Sequence, residues 1–168
     1  MKKSVTVISL GKFGIQLAKS LSQKGYDVIA IDSNPECVDE IKELVNFAVV
    51  LDATDEKAMR SVNVDNVDIA VVAMGTNVQS SLLTTALLQK LGVAEIYVRS
   101  INKLQESILL SMGIPDNRII NIEEEMGEQI SSSLASGKIG RYIQISERHS
   151  LMEIRVPDFF VTKTLKSL

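Results

Sequence analysis

The chain has 168 residues, 45% hydrophobic, 23% charged and 4% aromatic, with a formal net charge of −3. That length fits one domain with a real core, the apolar content excludes a disordered chain, and no run approaches the ~18 apolar residues of a membrane span. A mildly acidic chain with no basic block, four Phe, three Tyr and no Trp carries no footprint for nucleic acid, and its one cysteine, Cys37, excludes an internal disulfide and suits a reducing cytosol.

In chain order, short runs of Val, Ile, Ala and Leu at 5–10, 28–32, 47–51, 69–73, 96–99 and 118–121 predict strands covered on both faces. Helical segments are expected at 13–24, 36–45, 55–61, 77–91, 102–112 and 123–135. Asn34-Pro35 sets a cap and a first-position proline, and Asp55-Glu56 sets carboxylates at a helix start. Gly25 and Gly92 stand where helices should stop. Six βα units in succession predict an α/β fold with a Rossmann-like, doubly wound parallel sheet. Beyond residue 137 the rhythm changes: 141–146 and 151–156 alternate as strands, with a turn at 147–150, and 161–168 begins a helix. This tail reads either as a terminal hairpin on the sheet edge or as a linker and the opening of a second lobe.

The first strand runs into Ser9-Leu10-Gly11-Lys12-Phe13-Gly14, the dinucleotide fingerprint G-x-G-x-x-G with serine at its first position. Gly11 lets the backbone approach a pyrophosphate, Gly14 lets the helix pack on the strand, and the helix N-terminus offers N–H groups to phosphates. Serine at position 9 is tolerable provided its φ stays negative. Asp32 closes the second strand, where an acid hydrogen-bonds a ribose hydroxyl and repels a 2′-phosphate. Neither Ser33 nor Asn34 supplies the arginine that a 2′-phosphate requires. The same Asp32-Ser33-Asn34-Pro35 stretch also reads as a helix-capping loop.

Three more strand ends reach the same sheet edge. Asp52, followed by Ala53 and Thr54, is a candidate acceptor for an adenine amino group, or a cap for the helix near Asp55. In Met74-Gly75-Thr76 the glycine permits close backbone approach, or simply a turn. Arg99 is the candidate side-chain phosphate ligand, through its two-pronged guanidinium, or a solvated strand-end residue. For catalysis the chain offers little. His149 is the single histidine and lies in the tail. Cys37, in the first turn of a helix, could favour its thiolate, but no histidine lies nearby in sequence to activate it.

Taken together, the run 7–14, Asp32, Asp52-Ala53-Thr54, 72–77, Tyr97-Val98-Arg99 and 118–123 resembles the RCK (TrkA-N/KTN) domain of Trk and Ktr potassium uptake systems. The likeness covers about residues 3–136, and the tail at 151–157 and 163–165 resembles the opening of the family's C-terminal lobe. The expected organisation is therefore a nucleotide-binding domain at 1–136, then a linker and the start of a truncated lobe at 137–168.

The resemblance implies a regulatory subunit without enzymatic activity, binding ATP/ADP or NAD(H) through Gly11, Gly14, Asp32, Asp52, Ala53, Met74, Gly75 and Arg99. Lys12 stands where the family usually has an arginine reaching the terminal phosphate; lysine keeps the charge but loses the fork. Ser9 and Leu51 stand where many members have glycine. Glu123 matches a glutamate near the phosphates and a divalent cation, for which oxygen ligands would select Mg²⁺ or Ca²⁺; it also reads as an ordinary first-turn carboxylate, as do Glu124 and Glu125. Implied partners are a second copy, a ring (an octamer in many members) and a membrane potassium channel subunit, which places the chain in the cytoplasm at the inner face of the membrane. Helix 77–91, with Val78, Leu82, Leu83, Ala86, Leu87 and Leu91, is expected to combine core and partner faces. The competing readings are the nucleotide-binding fragment of an NAD-dependent oxidoreductase and a structural domain with no ligand.

Overall fold

The computed structural model describes residues 2–136, 139–146 and 149–154. The chain divides into two compact units, Met1–Ile122 and Glu123–Leu168. In the first, the strands are β1 (Ser4–Ile8), β2 (Asp27–Asp32), β3 (Phe47–Val50), β4 (Ile69–Val72), β5 (Glu95–Arg99) and β6 (Ile119–Ile120). The helices between them are α1 (Lys12–Gln23), α2 (Pro35–Ile41), α3 (Glu56–Ser61), α4 (Val78–Lys90) and α5 (Lys103–Ser111). All six strands are parallel, in the order β3-β2-β1-β4-β5-β6. The order reverses between β1 and β4, the point at which doubly wound sheets open a crevice beyond their carboxyl ends.

Why these residues form this sheet is plain from their burial. One face packs Ile8, Ile31, Ala70, Val72 and Val98 against Met59, Leu88 and Leu109 of α3, α4 and α5. The other packs Val5, Val7, Val28, Ala30 and Val71 against Ala18 of α1 and Val38 and Ile41 of α2. Neither face of the central strands meets water, so the strands read as continuous apolar runs rather than alternating ones. Fully burying a side chain such as Ile8 or Ile31 contributes roughly 1.5–3 kcal/mol, and both are at most 1% exposed.

The predicted caps form. Asn34 Oδ1 accepts from Glu36 N at 3.0 Å with Pro35 opening α2, and Asp55 Oδ1 accepts from Lys57 N and Ala58 N. Gly25 and Gly92 follow α1 and α4 with φ of 86° and 83°, values only glycine adopts without strain. Two boundaries move. The second helix stops at Ile41 instead of residue 45, because Leu44 N turns back to the Ile41 carbonyl and Asn46 Oδ1 accepts from Val28 N, drawing the chain into β3. The sixth strand shrinks to Ile119–Ile120, because Pro115 opens a 3-10 turn over Asp116–Arg118.

On α4 the buried side is Ser81, Thr84, Thr85, Leu87 and Leu88, whereas Leu83 is 52% exposed. Of the residues expected to combine core and partner faces, Leu87 is core and Leu83 is surface.

In the second unit, α6 (Ile122–Ser136) precedes β7 (Ile139–Ser146) and β8 (His149–Ile154). These strands pair antiparallel, from Ile139↔Ile154 to Ser146↔His149, and form a two-stranded sheet of their own. Both tail strands are thus present, with β8 starting two residues earlier than expected. The helix expected at 161–168 lies outside the described residues.

Candidate functional site

Four of the five strand ladders continue one residue past the strand on the carboxyl side. Ser9 N donates to Ile31 O (2.8 Å), Ala73 N to Ile8 O (2.8 Å), Leu51 N to Asp32 O (3.0 Å) and Ser100 N to Ile120 O (2.9 Å). The loops after β1 to β5 therefore leave the sheet at one level, and their side chains share one edge.

The loop after β1 turns sharply at Ser9, whose φ is +75°. This corrects the expectation of a negative φ. The serine occupies the left-handed region that the first glycine of the fingerprint serves without strain, at a cost of about 1–2 kcal/mol for an L-residue. Leu10 is fully buried and anchors the loop. Gly11 then caps α1 with extended backbone and no side-chain cap, so the first turn points its N–H groups outward at the positive end of the helix dipole.

The two glycines have different reasons. A Cβ on Gly14 would run into the Ser9 carbonyl, lying 3.0 Å from its carbon and 3.5 Å from Ala73 Cβ, so glycine is what lets α1 sit against the loop. A Cβ on Gly11 would meet nothing within 4 Å. The space in front of Gly11 is open, as close backbone approach to a ligand demands.

Asp32 joins two loops of this edge. Its Oδ2 accepts from Leu10 N at 2.5 Å and its Oδ1 from Asn34 N at 2.8 Å. Of the two sequence readings of this stretch, the helix-capping loop forms: Asn34 caps α2, while Asp32 ties β2 to the loop after β1. Asp52 does not cap α3, a task Asp55 performs. It closes a turn, accepting from Thr54 N at 2.8 Å and Thr54 Oγ1 at 2.7 Å. These two bonds, the backbone one first, hold its carboxyl below the usual aspartate range.

A cleft of about 180 Å³ opens among these loops. Ser9, Asp32, Ser33, Asp52, Ala53, Met74 and Thr76, all predicted, line it. Six unpredicted residues complete it: Ile8, Ile31, Leu51, Thr54, Asn77 and Ser80. Ile8 and Ile31 form its apolar floor, which no motif could reveal because they belong to strands. Asn77 and Ser80 open α4, where Asn77 Oδ1 caps Ser80 N at 2.9 Å; the Asn-x-x-Ser spacing was the available signal.

The other predicted residues sit outside that lining. Gly11 and Lys12 are exposed at the α1 N-terminus. Phe13, Gly75 and Arg99 gather into a second group, with Arg99 Cζ 6.0 Å from the Phe13 ring centroid and its guanidinium packed on Gly75. Glu123 is an exposed first-turn carboxylate of α6, in the second unit.

Two further facts bear on chemistry. Partial burial, followed by the carboxylates of Asp32, Glu40 and Glu36, pushes the Cys37 thiol up. Where the helix start could have favoured a thiolate, burial first and the three nearby anions second favour the thiol. Among the described residues no group of three or more His, Cys, Asp or Glu gathers as a metal site, and no helix is long and apolar enough to cross a membrane.

Comparison with known proteins places this arrangement. The TrkA-N domain family matches residues 5–122. The chain is 36% identical over its whole length to Ktr system potassium uptake protein C of Bacillus subtilis, spanning 75% of that protein. It is also 36% identical over 90% of its length to Ktr system potassium uptake protein A of the same organism, spanning 68% of it. Among solved structures, the Kef C-terminal domain of Shewanella denitrificans in its AMP-bound form superimposes with a TM-score of 0.65 at 20% identity, covering 80% of this chain and 82% of that one. The chain belongs to the TrkA-N (RCK) family, as a relative of the Ktr potassium uptake proteins.

Proposed function

We propose that this chain is a cytoplasmic regulatory subunit of a potassium uptake system, and that it senses an adenine nucleotide, ATP/ADP or NAD(H), in the cleft at the carboxyl edge of its sheet. One observation carries the reading. The cleft lies at the β1/β4 switch point, with an uncapped helix N-terminus and open space before Gly11 on one side and the Asp32 and Asp52 carboxylates on the other. Such a crevice suits an adenosine at the acidic end and its phosphates at the α1 N-terminus, where Lys12 and Arg99 add positive charge. An unmodified ribose fits Asp32; a 2′-phosphate there would meet an anion.

The site supports binding rather than turnover. Cys37 is held as a thiol, and the single histidine, His149, belongs to β8 of the second unit. Signalling would run through assembly: two nucleotides that contact two subunit arrangements differently shift the balance between them. Apolar surface suited to a second copy is present, since Leu83 on α4 and Leu104 on α5 are 52% and 71% exposed. The proposed assembly is a homodimer built into a ring beneath a membrane channel subunit. Among the described residues no group of three or more carboxylates gathers, so a Mg²⁺ or Ca²⁺ at Glu123 would take further oxygens from nucleotide phosphates and a second copy.

Calorimetric titration with ATP, ADP, NADH and AMP tests the site, alongside Gly11→Asp, which sets a carboxylate in the open space before the helix. The expected result is binding without hydride transfer, lost in Gly11→Asp while the circular dichroism spectrum is kept. Unchanged affinity in that variant would overturn the placement of the phosphates.

A further inference from the structure

We propose that Gly75 and Gln105 are positioning residues that hold Arg99 where it can grip phosphate, so that they set how strongly the site distinguishes nucleotides by their phosphates. This rests on the phosphate role of Arg99 proposed above.

Gly75 has no backbone reason to be glycine. It is absent from the glycines with positive φ, which are Gly25, Gly92 and Gly113. What occupies the place of its missing side chain is Arg99. A Cβ on Gly75 would lie 2.8 Å from Arg99 Cζ and 3.2 Å from Nη2, with Nη1 closer still. Any other residue at 75 must move the guanidinium. Phe13 borders the same group, its ring centroid 6.0 Å from Cζ, within reach of a cation–π contact.

Gln105 fixes the backbone end of the same residue. It is 1% exposed, an unusual place for a glutamine, and its amide is fully used. Nε2 donates to Arg99 O and to Ser81 Oγ, each at 3.2 Å, and Oε1 accepts from Ile101 N at 3.0 Å. One α5 side chain thus locks the exit from β5 to helix α4. An arginine has long, costly rotamer freedom; a seat formed before the ligand arrives removes much of that cost from binding. Gly75 leaves open the space that the charged end occupies, and the Gln105 amide restrains the main chain.

The test is calorimetry on the full chain with ATP and adenosine as probes, comparing wild type with Gly75→Ala, Gln105→Leu, Arg99→Gln and the Gly75→Ala/Arg99→Gln pair. Gly75→Ala should fold, since the new methyl meets only the mobile end of a side chain. Its ATP affinity should fall about tenfold, the loss of one weakened charge-assisted hydrogen bond, while adenosine affinity stays unchanged. Gln105→Leu should show the same asymmetry. The double variant should bind ATP no worse than Arg99→Gln alone, a non-additivity that a purely structural glycine would not produce. Gly75→Ala with wild-type ATP affinity, or with losses that add to those of Arg99→Gln, would overturn the inference while leaving the nucleotide site in place. A wild-type chain that binds neither probe would overturn the nucleotide reading itself, and this inference with it.

Discussion

The carboxylate of Asp32 receives the backbone N–H of Leu10 at 2.5 Å, joining the end of β2 to the loop that follows β1. With its other oxygen on Asn34 N at 2.8 Å, the side chain holds two loops of the site in fixed relation before any ligand is present. An acid at this position is thus structural, whatever ligand it meets.

Asp32→Asn should therefore cost stability as well as affinity. The asparagine oxygen can satisfy one of the two backbone donors, but its amide nitrogen faces the other. Leaving one N–H unpaired costs about 1–2 kcal/mol, to be read as a lowered urea midpoint. Nucleotide affinity should fall in parallel in a calorimetric titration. A variant as stable as wild type would show that the Leu10 bond contributes nothing.

Gly14→Ala and Gly11→Ser should separate packing from binding. Alanine has a better helix propensity by about 0.5–1 kcal/mol, yet the methyl would be driven into the Ser9 carbonyl, and overpacking of that kind costs typically about 1–3 kcal/mol. The clash wins, so Gly14→Ala should destabilise the fold. Gly11→Ser places a favourable capping residue in open space and should stay within ~0.5 kcal/mol of wild type. Its affinity for nucleotide should fall instead. Denaturant melts and titrations on both variants give the comparison.

Ser9→Gly should stabilise the chain. Removing an L-residue from φ of +75° recovers about 1–2 kcal/mol, and the added freedom of glycine in the unfolded chain returns about 0.4–1 kcal/mol of that. A net gain of roughly 0.5–1 kcal/mol in the same melts is the expected outcome. A loss would mean that the hydroxyl of Ser9, a residue lining the cleft, makes a compensating interaction.

Much of this was legible in one dimension because its causes are local. Alternation of β-branched runs with helical segments comes from burial of a parallel sheet on both faces, and caps such as Asn34 and Asp55 act within three residues of themselves. Position 9 misled because the sign of φ depends on how the loop must turn to bring Leu10 under Asp32. The buried side of α4 was hidden for another reason: Ser81, Thr84 and Thr85 are polar but small, so they pack against the sheet where a hydrophobic pattern finds no stripe.

From the residue order alone came the βα rhythm, the glycine loop, the acid one strand away and hence the family. Each depends on neighbours in sequence or on a fixed spacing, which linear order preserves. Only the folded chain decided that Gly14 yields to a backbone carbonyl, that Gly75 yields to Arg99 and that the amide of Gln105 is spent on the exit from β5. Those facts concern which atoms fill which volume across separate elements, and space between distant segments exists only once the sheet has brought them together.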